Sequence, residues 1–344
     1  MNKIYQPEAI SALKKDLLAA KNIVITAHKS PDGDAIGSII ALREILLSLG
    51  VKSQMMVPDD FPDFLKWLPS ASDVIIAEKD ENEAKTMLLE ADVIFVLDYN
   101  APHRAGKIGE HISASHAIKV MIDHHHQPDD FAKYTFSDVT SCSTAQLIYE
   151  FSEVLGQEGK LSYEACQAIY LGIMTDSGSF RFKSVKPVTH RIIANLLELG
   201  LDQDEIHRAV YDNNSLSRLQ LRGFAISERL EVISELKTAI IYLTQADLKK
   251  YNAGKGDTEG LVNMALSING VEIAFFLREQ ENEVRISMRS TGDFSVNDLS
   301  RAHFEGGGHT NAAGGISYVS MNDTIAKVKA VMLGEKETIK ALYA

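Results

Sequence analysis

Cysteine is almost missing from this chain. Cys142 and Cys166 are the only two, far apart and not in a CxxC pair. That spacing offers neither a disulfide framework nor a zinc-knuckle ligand set, so both are expected reduced, buried and structural. No apolar run reaches the length of a membrane span. The opening residues, Met1 to Gln6, lack the basic segment and apolar core of a secretory signal, and the expected compartment is the cytoplasm. Low-complexity tracts and internal repeats are also lacking. Positive charge is the scarcer sign: 35 Lys and Arg stand against 47 Asp and Glu, a formal net charge of −12. This argues against tight binding of duplex DNA, which needs many phosphate contacts. It leaves a small anionic substrate open, because bound divalent cations invert the local field where acidic residues cluster.

What remains is globular. Hydrophobic residues make up 45% of 344 positions, enough to build two cores. The first half alternates strand signals (22–27, 52–57, 73–77, 92–98, 117–123) with helix signals (7–20, 35–49, 82–90, 143–155). Such alternation predicts an α/β domain, a parallel sheet with flanking helices; strand order is not legible. Helices follow at 161–175 and from Pro187 to about Gly200. Residues 203–228 read as amphipathic connecting helix, best broken at Asp212–Ser215. From about 229 the pattern becomes a smaller α+β domain, with strands at 230–234, 238–243, 271–278, 283–289 and 315–320, helices near 258–268 and 295–303, and a closing helix at 321–342. The expected division is 1–205 for a catalytic metal-binding domain, 206–228 for a helical linker and 229–344 for a substrate-binding domain, with the active site in the cleft between domains.

Chemistry concentrates where apolar runs stop. Ile23-Val24-Ile25-Thr26-Ala27 ends at His28, with Asp32 and Asp34 beyond it on a turn forced by Pro31 and Gly33. One carboxylate there would read as a helix N-cap. Two, with a histidine on the same turn, favour a metal site at the carboxyl ends of the strands. Val93-Ile94-Phe95-Val96-Leu97 is apolar on both faces, so it is central and delivers Asp98 into the same crevice; a carboxylate there can bridge two cations. Ala117–Ile122 ends in Asp123-His124-His125. Imidazole with carboxylate suits Mn²⁺, Fe²⁺, Co²⁺ or Zn²⁺ better than Ca²⁺. Neighbours on extended backbone point to opposite sides, so His124 and His125 are expected to serve different roles. Asp176 closes an apolar helix, where a negative charge opposes the helix dipole and a nearby cation would compensate.

In the second half, Gly306-Gly307-Gly308-His309 exposes backbone N–H groups to an oxyanion. A helix starting near His309 would add its positive end. Arg289, at a strand end, is placed to clamp the same anion. A glycine run alone reads more readily as a flexible turn; His309 and Arg289 tilt the reading to phosphate binding.

Taken in order, these motifs resemble the DHH phosphoesterase family. Asp123-His124-His125 matches the motif that names it. His28-x-x-x-Asp32-x-Asp34, Asp98 and Asp176-Ser177-Gly178 match its others, and Arg289 with the Gly306–His309 run looks like the DHH-associated C-terminal domain. The resemblance implies a dinuclear centre, usually Mn²⁺, with Mg²⁺ or Co²⁺ as alternatives. One ion would sit on His28, Asp32 and Asp98, the other on Asp34, Asp98, His124 and Asp176. His125 would face the scissile phosphate with Asp123 close behind. Arg289, Gly306, Gly307, Gly308 and His309 would hold substrate. The implied activity is hydrolysis of short oligoribonucleotides and of the 3′-phosphate of 3′-phosphoadenosine 5′-phosphate, by attack of a hydroxide shared between two metals. Cleavage of cyclic or linear dinucleotides is the alternative. Pyrophosphate or polyphosphate hydrolysis is expected less, and a non-catalytic nucleotide-binding regulator least. The implied partners are short RNA or small nucleotides, with no membrane and no duplex DNA; family analogy also allows a homodimer.

Overall fold

A computed structural model describes residues 4–254 and 256–343. The chain divides into two compact units, Met1–Asn213 and Asn214–Ala344.

In the first unit the strands are β1 (Ile23–Thr26), β2 (Gln54–Val57), β3 (Ile75–Ile76), β4 (Val93–Leu97), β5 (Ile118–Asp123) and β6 (Tyr134–Ser137). The helices are α1 (Pro7–Ala19), α2 (Gly33–Ser48), α3 (Glu81–Glu90), α4 (Lys107–Ala114), α5 (Thr144–Leu155), α6 (Tyr163–Asp176), α7 (Pro187–Glu198) and α8 (Gln203–Tyr211). The strands form one parallel sheet in the order β3-β2-β1-β4-β5-β6. β1, β4 and β5 are Val- and Ile-rich because both faces are covered. Ile25, Phe95 and Ile122 pack beneath α1, α2, α5 and α6, while Val24, Ile94, Val96 and Met121 pack against α3 and α4. Between the parallel neighbours β1 and β4 the order in which the chain adds strands switches from one side of the sheet to the other. In an open parallel sheet that switch opens a crevice at the carboxyl ends of the strands.

The second unit holds α9 (Leu216–Glu228), β7 (Leu230–Ile233), β8 (Thr238–Leu243), α10 (Gln245–Lys250), α11 (Leu261–Leu266), β9 (Ile273–Glu279), β10 (Val284–Ser290), α12 (Val296–His303), β11 (Gly307–His309), β12 (Ala312–Ser317), α13 (Met321–Gly334) and α14 (Lys336–Leu342). Its sheet is mixed, in the order β11-β12-β10-β9-β8-β7, with only β8 and β9 parallel. Alternation along β9 sends Ile273, Phe275 and Leu277 to one core and Ala274 and Phe276 to the other.

Several expectations change. The stretch 206–228, expected as a linker, is shared: α8 belongs to the first unit and α9 to the second. β6 was not expected; its four residues, Tyr134 and Phe136 inward with Thr135 outward, are too short a pattern to read. The closing helix breaks at Glu335. No helix starts near His309, which instead ends β11, hydrogen-bonded to β12. The anion site expected there therefore has no helix dipole. Among the described residues, no helix is long and apolar enough to cross a membrane.

Candidate metal centre

Three strands deliver the site. β1 ends two residues before His28, β4 ends one residue before Asp98, and β5 ends on Asp123 with His124 and His125 following. Helix ends supply the rest. Asp32 is the N-cap of α2, its Oδ1 accepting from the backbone N–H of Asp34 (3.0 Å) and Ala35 (3.1 Å). Asp34 lies in the first turn of α2, and Asp176 is the last residue of α6. The capping reading of Asp32 is thus correct as far as it goes. The same carboxylate also stands 3.9 Å from His28 Nε2.

Asp98 is the hub. Its Oδ2 lies 3.3 Å from His28 Nε2, and its Oδ1 lies 3.5 Å from His124 Nε2. His124 Nε2 is also 3.5 Å from Asp176 Oδ2 and 3.8 Å from Asp34 Oδ2. Ligand-capable atoms of His28, Asp32 and Asp98 form one group within 4.8 Å, and those of Asp34, His124 and Asp176 form another. A third group is Asp98, Asp123 and His125. Two ligands each about 2.1 Å from one ion lie roughly 3–4 Å apart, the spacing found here.

The chemistry of the donors tests the fit further. His28 Nδ1 is 2.9 Å from the Lys29 carbonyl, and His124 Nδ1 is 3.3 Å from the Ser141 carbonyl. A carbonyl only accepts, so each Nδ1 carries the hydrogen and Nε2 of the neutral ring is a bare lone pair. Burial lowers the His124 pKa and favours that neutral form. A lone pair aimed at carboxylate oxygens is repulsive unless a cation lies between them. The carboxylates report the same crowding. Burial, reinforced by the charge of Asp32, pushes Asp34 up to about 7. Burial and the charges of Asp34 and Asp32 push Asp98 well above the usual carboxylate range. The donor set fits divalent cations.

His125 is held differently. Its Nδ1 is 2.7 Å from Asp123 Oδ1, and its backbone N–H donates to Asp123 Oδ2 at 3.0 Å. Asp123 is fully buried, and each of its oxygens is in hydrogen-bond contact with His125. The rings of His124 and His125 meet edge-on, 5.0 Å apart. Burial, with the charges of His124 and Arg104, holds the His125 pKa well below its ordinary value.

The remaining expected residues lie in the second unit. Arg289 is on β10, its Nη1 donating to the Met288 carbonyl at 2.9 Å. Gly306 precedes β11, and Gly307, Gly308 and His309 form it. Packing explains two of these glycines. A Cβ on Gly306 would lie 1.9 Å from the Gly314 carbonyl oxygen, and one on Gly308 would lie 2.3 Å from that of Ala312. Gly307 has room: the nearest atoms to a Cβ there are Arg301 Nε and Asn297 Oδ1, at 3.5 Å. Asn297 Oδ1 also accepts the Gly308 N–H at 2.8 Å.

Sequence reasoning missed Thr144. Its hydroxyl donates to Asp98 Oδ1 at 2.9 Å, and its backbone N–H donates to Asp34 Oδ2 at 2.7 Å. The only signal was Ser143-Thr144 before an apolar helix, which reads as an ordinary cap.

Residues 22–173 match the model of the DHH family, N-terminal domain, and residues 237–332 match the DHHA1 domain. A protein of Streptococcus mutans, named probable bifunctional oligoribonuclease and PAP phosphatase NrnA, is 28% identical over 312 residues, covering 90% of this chain and 94% of its own. A protein of Thermus thermophilus named bifunctional oligoribonuclease and PAP phosphatase NrnA is 28% identical over 297 residues, with 85% and 83% covered. The crystal structure of an exopolyphosphatase-related protein from Bacteroides fragilis is 38% identical, with a TM-score of 0.94 over 99% of this chain and 100% of that one.

Proposed function

The chain belongs to the DHH family, and from that premise we propose that it is a metal-dependent phosphoesterase of short oligoribonucleotides that also removes the 3′-phosphate of 3′-phosphoadenosine 5′-phosphate. The observation that carries this reading is Asp98, with one carboxylate oxygen toward His28 and the other toward His124. His28, Asp32 and Asp98 would hold one divalent cation, and Asp34, Asp98, His124 and Asp176 a second. Mn²⁺ is the first expectation, with Mg²⁺ and Co²⁺ as alternatives. Such ions supply Lewis acidity toward phosphoryl oxygens and acidify water.

The protein's own groups do the rest. Asp123 holds the Nδ1 hydrogen of His125, so any proton His125 exchanges with the leaving oxygen passes through Nε2. Arg289, Gly307 and His309 are the proposed grip on a substrate phosphate, with Gly306 and Gly308 shaping their hairpin. A cytoplasmic setting fits the two free, buried cysteines.

The relatives named as oligoribonuclease and PAP phosphatase support these substrates. The polyphosphate reading gains from the name of the Bacteroides fragilis protein. A panel with added Mn²⁺ decides: a diribonucleotide, the adenosine bisphosphate, a cyclic dinucleotide and a linear polyphosphate. The first two are expected to turn over fastest; dominant polyphosphate hydrolysis would replace the reading. The Arg289→Ala variant is expected to raise KM for the diribonucleotide while metal content, read by elemental analysis, stays at the wild-type level.

A further inference from the structure

Thr144 is fully buried and is the first residue of α5. Its hydroxyl is not needed as a cap, because Ser143 Oγ accepts the Gln146 N–H at 3.0 Å and caps the helix. At the first helical position the hydroxyl instead crosses to a loop 46 residues away and donates to Asp98 Oδ1 at 2.9 Å. The same residue's N–H donates to Asp34 Oδ2 at 2.7 Å, and the next N–H, of Ala145, donates to Asp34 Oδ1 at 2.8 Å.

Asp98 needs such an anchor. Its backbone is left-handed, at φ 64°, and its N–H is tied to the Ile122 carbonyl at 3.1 Å. Those constraints fix the Cα–Cβ direction but not the orientation of the carboxylate, which its side-chain partners set. The Thr144 hydroxyl selects one orientation, Oδ1 toward His124 and Oδ2 toward His28. It occupies one lone pair of Oδ1 and leaves another for a cation.

We propose that Thr144 is the positioning residue of the centre, fixing Asp98 through its hydroxyl and Asp34 through its N–H, so that one residue sets the spacing of the two cation sites. This rests on the reading of the cluster as a two-cation centre. Thr144→Val keeps the shape and the N–H but removes the hydroxyl; Thr144→Ser keeps the hydroxyl.

Mn²⁺ is titrated calorimetrically into metal-free wild type and both variants, and spin coupling between the ions is read by electron paramagnetic resonance. T144V is expected to bind the weaker ion at least about tenfold less tightly, the loss typical of an outer-shell partner, and to lose the coupled signal. T144S is expected to match wild type in both. Metal-free T144V is expected to melt where metal-free wild type does. Wild type that takes up no Mn²⁺ defeats the two-cation reading itself. Wild type that loads a coupled pair, with T144V loading it identically, defeats only the role of Thr144. T144V that fails to fold, or melts lower without metal by as much as with it, assigns Thr144 to structure and overturns the proposal as well.

Discussion

At the residue scale, Asp98 is the proposed bridging ligand, and its environment differs from that of a stabilising side chain. Aspartate tolerates the left-handed region better than most residues, so its φ of 64° is affordable. Its charge is not cheap: buried beside Asp34 and Asp32, the carboxyl is held well above the usual range. Asparagine would keep the backbone conformation and a carbonyl to accept from Thr144, while removing the charge and one anionic oxygen. Asp98→Asn is therefore expected to melt at or above the wild-type temperature in EDTA, to gain little stability from Mn²⁺, and to lose more than about 100-fold in turnover, beyond the usual cost of an outer-shell partner. Paired melts with EDTA and with Mn²⁺ check this. A drop of several degrees in EDTA would make Asp98 a structural residue.

At the element scale, the site depends on how closely α5 and α6 approach the start of α2. Gly172, in the middle of α6, allows this. A Cβ there would lie 2.4 Å from Ala145 Cβ and 2.8 Å from Asp34 Oδ1. Gly172→Ala adds a methyl group to a packed contact, which costs about 1–3 kcal/mol, and it pushes on a proposed ligand. A lower urea midpoint for the first unit, with weaker Mn²⁺ binding, is the expected result; unchanged Mn²⁺ affinity would show that α6 can shift without moving Asp34. The elements themselves were largely legible. β1, β4 and β5 announce themselves because apolar runs covered on both faces stop abruptly at His28, Asp98 and Asp123. The break at 212–215 fell between α8 and α9 for the same local reason, a run of Asp, Asn and Ser. What escaped was non-local. The order β3-β2-β1-β4-β5-β6 is set by which crossovers pack, and no single strand records it. The Gly306–His309 run read as a helix start because its glycines have no local preference, whereas β12 decides their conformation by pairing with them. The Thr144 contact to Asp98 spans 46 residues and leaves no spacing to read.

At the scale of the whole molecule, the two units should respond differently to pH. In the first, Asp34 has a folded-state pKa of about 7 against 3.8 as its ordinary value. Between those values the folded, metal-free state binds more protons than the unfolded one, so this group's contribution to stability falls as pH rises through the window. Asp98 acts in the same direction. A cation at the cluster reverses the penalty, but protons compete with it: below pH 7 Asp34 protonates, and at lower pH so does His124. Stabilisation by bound metal grows with affinity. The rise in melting temperature caused by Mn²⁺ should thus be larger at pH 8 than at pH 5.5. In the second unit, Asp247 behaves in the opposite way. Burial raises the Asp247 carboxyl, but the two-pronged contact from Arg229, at 3.0 Å on each oxygen, and the hydrogen bonds from Thr244 outweigh it and leave the pKa lowered. Its stabilisation is present above the ordinary carboxylate pKa and is lost only as pH falls through the lowered value, well below this range. Calorimetric scans at both pH values, with and without Mn²⁺, should show a pH-dependent metal shift that the Asp98→Asn variant loses, whereas Arg229→Ala should lower stability at both pH 5.5 and pH 8 without changing the Mn²⁺ shift. A Mn²⁺ shift equal at both pH values would mean that the carboxylates are already ionised at pH 5.5, and the crowding inferred for Asp34 and Asp98 would be wrong.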